Sequence, residues 1–224
     1  RGQYGPVRLY RIRLDLAVPA DGETPFPVTV ERALPLADAE GRPFAPNSID
    51  TEGLAVVAGG FLVSTEPIVH RGVAAMIGEF GPDGRQKGQL RLPDSLLPGQ
   101  GHGGRENLGF EGLAPTSDGK HLYAAVENAL EQDGPAADAG VASPSRILRF
   151  DREAGGRPEE FVYVVEPVTP APPGATAYRM NGLSDLLPLD ESRLLVLERQ
   201  FVDGVGNAVR VYEASLAGAT DVSS

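Results

Sequence analysis

The stretch Gly109-Phe-Glu-Gly-Leu-Ala114, closed by Leu122-Tyr-Ala-Ala-Val-Glu127, decides the reading of this chain. It pairs an acid-Gly-Leu-small motif with an apolar run that ends in Glu, with the turn Thr116-Ser-Asp-Gly-Lys120 between them. The same order occurs upstream as Asp50-Thr-Glu-Gly-Leu-Ala55 followed by Phe61-Leu-Val-Ser-Thr-Glu66. It occurs again downstream as Arg179-Met-Asn-Gly-Leu-Ser184 followed by Leu194-Leu-Val-Leu-Glu198. The Gly-to-Glu spacings are 13, 15 and 16 residues, and the differences fall in turns, where insertions cost little. Alternation and β-branched or aromatic content make each half a strand, so each repeat begins as a hairpin.

Working outward, a third strand follows each hairpin: Met76–Phe80, Arg146–Asp151 and Val209–Tyr212. A fourth follows the first two, at Gln89–Leu92 and Phe161–Val165. Two orphan strands, Val7–Leu14 and Pro27–Ala33, precede them all. The tally is two, four, four and three. Short helical turns at Pro93–Leu97 and Glu127–Glu131 are weighed against ordinary loop, which is the preferred reading. A four-stranded unit repeating every 60–70 residues is the pattern of a β-propeller blade. The expected fold is therefore all-β, a single partial propeller over 1–224, with blade units at about 1–49 (partial), 50–108, 109–178 and 179–224 (partial). A β-sandwich explains the strands but not the repeated Glu-Gly-Leu-Ala. Propellers close with about four to eight blades, so the visible units make an incomplete ring, to be completed by flanking sequence or neighbouring chains. A complete small domain is the alternative.

Composition narrows the chemistry. The chain has 224 residues, 20 Lys and Arg against 31 Asp and Glu, and a net charge of −11. Such a balance disfavours nucleic acid and anionic lipid as partners. There is no Cys, which removes disulfides, thiolate metal sites and Cys nucleophiles. No apolar run reaches the length of a membrane span. The 28 Gly and 20 Pro suit a loop-rich fold but fall short of a low-complexity chain. Pro170-Ala-Pro-Pro-Gly174 reads as a stiff excursion. Gly99–Gly104 lacks the Lys-Ser/Thr of a P-loop and reads as a plain loop.

Blade geometry predicts where the acids go. The start of a first strand and the end of its antiparallel partner share one end of the sheet. Glu52, Glu111 and Asn181 would therefore meet Glu66, Glu127 and Glu198 near the propeller axis. Five carboxylates gathered there need protonation, basic partners or a cation. An all-oxygen set suits Ca²⁺ better than Mg²⁺. His70, His102 and His121 lack the spacing of a zinc site. A repeated Glu also has a plainer use, as a staple hydrogen-bonded between blades. Gly53, Gly112 and Gly182 serve close backbone approach. The basic residues His70, Arg71, His102, Arg105, Arg179 and Arg199 fall in loops at the same end. Of these, Arg105, Arg179 and His102 are the expected anion binders. Glu111, Glu127 and Arg199 are the expected catalytic groups. No Gly-x-Ser-x-Gly elbow is present; a triad can be drawn from Ser64 or Ser184 with His102, but nothing requires it.

Asp50–Ala55, Asn107–Ala114 with Asp118-Gly-Lys120, Gly182–Leu187 and Leu195–Arg199 together resemble the phytase-like family, also described as having esterase-like activity of phytase. The resemblance runs from about Val7 to Val222. It implies a propeller-type fold, secreted or periplasmic bacterial proteins, and hydrolysis of phosphate or other esters. Members of that family are longer at both ends, and the non-Met start agrees with upstream processing or trimming. The expected function is a cation-dependent hydrolase of a small anionic ester, with no obligate protein partner. The alternative is a non-catalytic ligand- or protein-binding propeller whose carboxylates are structural.

Overall fold

A computed structural model describes residues 5–16, 26–169 and 177–223. The Pro170–Gly174 excursion lies outside the described residues. Among the described residues the fold is all-β, with 13 strands in four antiparallel sheets. A hairpin pairs β1 (Arg8–Leu14) with β2 (Val28–Pro35). The first four-stranded sheet runs β3 (Asp50–Val57), β4 (Gly60–Glu66), β5 (Ile77–Phe80) and β6 (Gln86–Gln89). The second runs β7 (Phe110–Pro115), β8 (His121–Val126), β9 (Ser143–Asp151) and β10 (Glu159–Val165). The last holds β11 (Arg179–Pro188), β12 (Arg193–Val202) and β13 (Gly206–Ser215). The two-four-four-three tally matches the repeat reading.

The strand expected at Gln89–Leu92 lies earlier, at Gln86–Gln89, because Glu79 pairs with Gly88 and Gly78 with Gln89. Leu90 and Leu92 leave the ladder and pack on the core instead. Of the two weighed helical turns, Asp94–Leu96 forms one turn of 3-10 helix, and Glu127–Glu131 forms none. The chain after Glu127 is pinned by other bonds. Asn128 Oδ1 accepts Ala137 N–H at 2.8 Å, and Ser143 Oγ accepts Ala129 N–H at 2.9 Å.

The sheets pack face on face, and this explains why β4 and β8 are apolar runs rather than alternating strands. In the second sheet Leu122, Ala124, Leu148 and Phe150 face one cluster, which includes Leu62 and Ile77 of the first sheet. The alternate residues Tyr123, Ala125 and Ile147 face another, with Leu183, Leu194 and Val196 of the last sheet. Period-2 alternation therefore survives, but both faces are buried. A third cluster joins Val7 and Leu36, at the base of the first hairpin, to Phe61, Val63 and Phe80.

The first strands of the three larger sheets adjoin: β3 lies against β7, and β7 against β11. Glycine permits the approach. A Cβ on Gly112 would lie 2.9 Å from Leu186 N, and one on Gly182 would lie 2.4 Å from Glu127 Cγ.

Candidate metal centre

The repeated acids are delivered by these adjoining strand ends. In β3 the ladder slips between Thr51 and Leu54, so Glu52-Gly53 forms a bulge. In β7 it slips between Phe110 and Leu113, and Glu111-Gly112 bulges in the same place. Bulges re-aim side chains. Ser64 Oγ accepts the Gly53 N–H at 2.9 Å and holds the first bulge in place. Glu66 pairs with Asp50 at the end of β4, and Glu127 follows the end of β8 directly.

Two groups of three carboxylates result, each with one oxygen per residue and all three oxygens within 4.8 Å of one another. One group is Asp50, Glu52 and Glu66; the other is Glu66, Glu111 and Glu127. Glu66 belongs to both. Glu66 and Glu127 are buried, at 3% and 1% exposure. Glu66 Oε1 accepts the Gly109 N–H at 2.7 Å, tying the first sheet to the start of β7. Glu127 is tied through its backbone, since its N–H donates to Gly109 O and its carbonyl accepts from Leu183 N–H. Its side-chain Oε1 is buried with no hydrogen-bond partner.

The electrostatics follow from this crowding. Burial, then the charges of Glu127, Glu52 and Glu66, push the Glu111 carboxyl up to about 8. Burial and Glu66 push Glu127 up to about 7. Arg199 opposes both shifts, which makes it the cation the acids feel. A donor set of carboxylate oxygens at these separations fits a hard cation. Ca²⁺ holds oxygens at about 2.3–2.6 Å, so its ligands lie no more than about 5 Å apart. An orphaned buried carboxylate oxygen is what such an ion would satisfy.

The third repeat departs from the first two. Its ladder slips between Leu183 and Asp185, past the Asn181-Gly182 pair. Because β11 runs on to Pro188 before its turn, Glu198 pairs with Leu183 inside β12, while Val202 takes the strand-end position opposite Arg179. The Glu198 carboxylate accepts from Tyr163 OH at 2.8 Å, from Glu166 N–H at 3.2 Å and from Asn181 Nδ2 at 2.7 Å. Glu198 and Asn181 thus bind one another and the second sheet, and Glu198 is in neither acid group among the described residues. Similar spacing along the chain concealed a different register.

The expected anion binders are engaged elsewhere. Arg105 donates to Ala129 O, Gly134 O and Glu131. Arg179 pairs with Asp138. His102 Nδ1 lies 3.1 Å from Leu97 O. Conversely, Asp50 joins the acids although the repeat did not single it out. Its signal was available, because Asp50 and Glu52 are two apart on one strand.

A family model described as phytase-like, esterase-like activity of phytase, matches residues 1–224. The chain belongs to the phytase-like family. That membership points to hydrolase-type activity of the esterase or phosphatase kind. No curated protein and no solved structure matches the chain. Among the described residues of this phytase-like chain, no helix is long and apolar enough to cross a membrane.

Proposed function

We propose that this phytase-like chain is a cation-dependent ester hydrolase that takes phosphate esters. We read its sheets as consecutive propeller blades, with the site where their first strands meet. Sequential strand order within each sheet, face-to-face packing and the adjoining β3, β7 and β11 support the propeller reading. One observation carries the function: Glu127, grouped with Glu66 and Glu111, carries a buried oxygen with no hydrogen-bond partner.

Glu66, Glu111 and Glu127 would hold the ion, and Asp50, Glu52 and Glu66 form a second triad that could take one, with Ca²⁺ favoured by the all-oxygen donors. A bound divalent cation supplies Lewis-acid charge at the ester oxygen. The chain supplies the rest. The Glu66 carboxylate is held by the Gly109 N–H, and the Glu127 backbone is held by Gly109 and Leu183. Glu111 is the half-buried member of its triad, against buried Glu66 and Glu127. Arg199 offsets the acids and presents a guanidinium to an anionic ester. One observation favours the alternative of a binding propeller with structural carboxylates: Glu198 is fully engaged as a staple between sheets.

Turnover of p-nitrophenyl phosphate and p-nitrophenyl acetate, with calcium and with chelator, tests the reading. The expected result is chelator-sensitive hydrolysis that falls by at least roughly 100-fold in Glu127→Gln. Calcium binding with no turnover of either ester would support the binding alternative instead.

A further inference from the structure

A cleft of about 340 Å³ opens beside the acids, and it rests on none of the anion binders expected from sequence. Asp50 lines it and also belongs to the first acid group, so the cleft adjoins the acid centre at that residue. Its walls are unlike in character. Ile49 and Ile68 form an apolar side, and His70, Arg71 and Glu106 form a charged one.

The charged wall is built on one turn of 3-10 helix, Val69–Arg71. Gly72 ends that turn in the left-handed region, at φ 66°. Glu106 holds it from the same wall. Its carboxylate accepts from Val69 N–H at 2.6 Å and from His70 N–H at 3.3 Å, and it lies 2.9 Å from His70 Nδ1. Burial works against the Glu106 charge, but these bonds outweigh it and hold the carboxyl below its ordinary range. Arg71 is fixed in turn, with one guanidinium nitrogen donating to Asn47 O. Among the described residues it makes no ion pair. A guanidinium carries five N–H donors, so most of its capacity is left for a ligand.

We infer that this cleft is the substrate pocket of the acid centre, and that Arg71 is the residue that selects an anionic ester. The inference rests on the proposed function. A phosphate in the cleft would meet Arg71 on one side and the Asp50 acid group on the other. The organic part of the ester would lie along Ile49 and Ile68. The volume is at the lower end for small-molecule sites, which selects a small monoester over a polymeric or heavily substituted one. Glu106 and His70 are positioning residues, acting through the turn that carries Arg71.

Calorimetric titration of the whole chain with inorganic phosphate, in saturating calcium, tests this. The unaltered protein is expected to bind phosphate, and Arg71→Gln to bind it at least roughly 10-fold more weakly. Arg71→Lys keeps the charge but loses the fork, and should fall between them. Glu106→Gln should weaken phosphate binding less than Arg71→Gln. With p-nitrophenyl phosphate, Arg71→Gln should raise KM much more than it lowers kcat. Retention of the calcium-induced rise in Tm shows that each variant is folded with its acids intact. Phosphate binding that is absent in the unaltered protein, or equal in Arg71→Gln, would overturn the inference. Calcium-dependent hydrolysis would still stand in that case. Loss of calcium binding with Arg71-dependent phosphate binding retained would instead overturn the proposed function alone.

Discussion

In the absence of calcium, the protein is expected to lose thermal stability as pH rises from 5 to 8, by roughly 5–10 °C in Tm. Calcium in large excess over its Kd should restore a similar amount. The sign follows from Glu111 and Glu127. Their folded carboxyls sit at about 8 and about 7, above the ordinary value of 4.5. Between pH 4.5 and 8 the folded chain therefore binds more protons than the unfolded chain, and stability falls with rising pH. Below that window both states are protonated and the contribution is whole. Above it both are ionised and the loss is complete. A bound cation reverses the loss by satisfying the ionised acids, and at about 100 times its Kd it adds about 2.7 kcal/mol. Thermal melts at stepped pH, in EDTA and in calcium, check both halves. A melting temperature that stays flat or rises across pH 5–8 in EDTA would mean that the acids are not crowded as described.

The second large effect is expected from Gly53→Ala, which should lower stability by about 3 kcal/mol and calcium affinity with it. An added Cβ would lie 2.6 Å from Ser64 Oγ, 2.7 Å from Glu111 O and 2.7 Å from Leu113 Cβ. Two of those atoms belong to the neighbouring sheet, and one is backbone, so neither can rotate out of the way. Relief requires β3 and β7 to separate, which moves Glu52 and Glu111 apart. Gly59→Ala is the contrast. Gly59 has φ 79° but nothing within 4 Å of an added Cβ, so only backbone strain of about 1–2 kcal/mol is expected. Denaturant unfolding of the two variants, with calcium titration of each, separates clash from strain. Equal and small losses would show that the sheets are not in close contact at Gly53.

Much of this arrangement was legible in the repeat. The hairpins β3–β4, β7–β8 and β11–β12 lie where the acid-Gly-Leu motif and its closing run placed them. Glu66 and Glu127 end their hairpins because strand alternation and one short turn leave little freedom between motif and terminus. Gly53, Gly112 and Gly182 serve close approach, as their place in the motif implied. What failed to show was whatever depends on register or on distant partners. Glu198 has a similar spacing from Gly182, but β11 runs on to Pro188 before it turns, so Glu198 stands opposite Leu183 and not at the strand end. Arg179 is an expected anion binder by its place before the motif, and its partner Asp138 lies 41 positions away. Glu106 shapes the Val69–Arg71 turn from more than thirty positions away, and no local pattern announces it. Spacing reports what a single hairpin does, and long-range pairing is chosen by packing between sheets.

The central claim is that Glu66, Glu111 and Glu127 hold a cation. Anomalous diffraction from crystals grown in calcium and soaked in terbium tests it most directly. The account predicts a peak among these carboxylates, about 2.3–2.6 Å from the nearest oxygens including Glu127 Oε1. A flat map at that position under saturating cation, with Glu127 Oε1 hydrogen-bonded to protein or water, would contradict it.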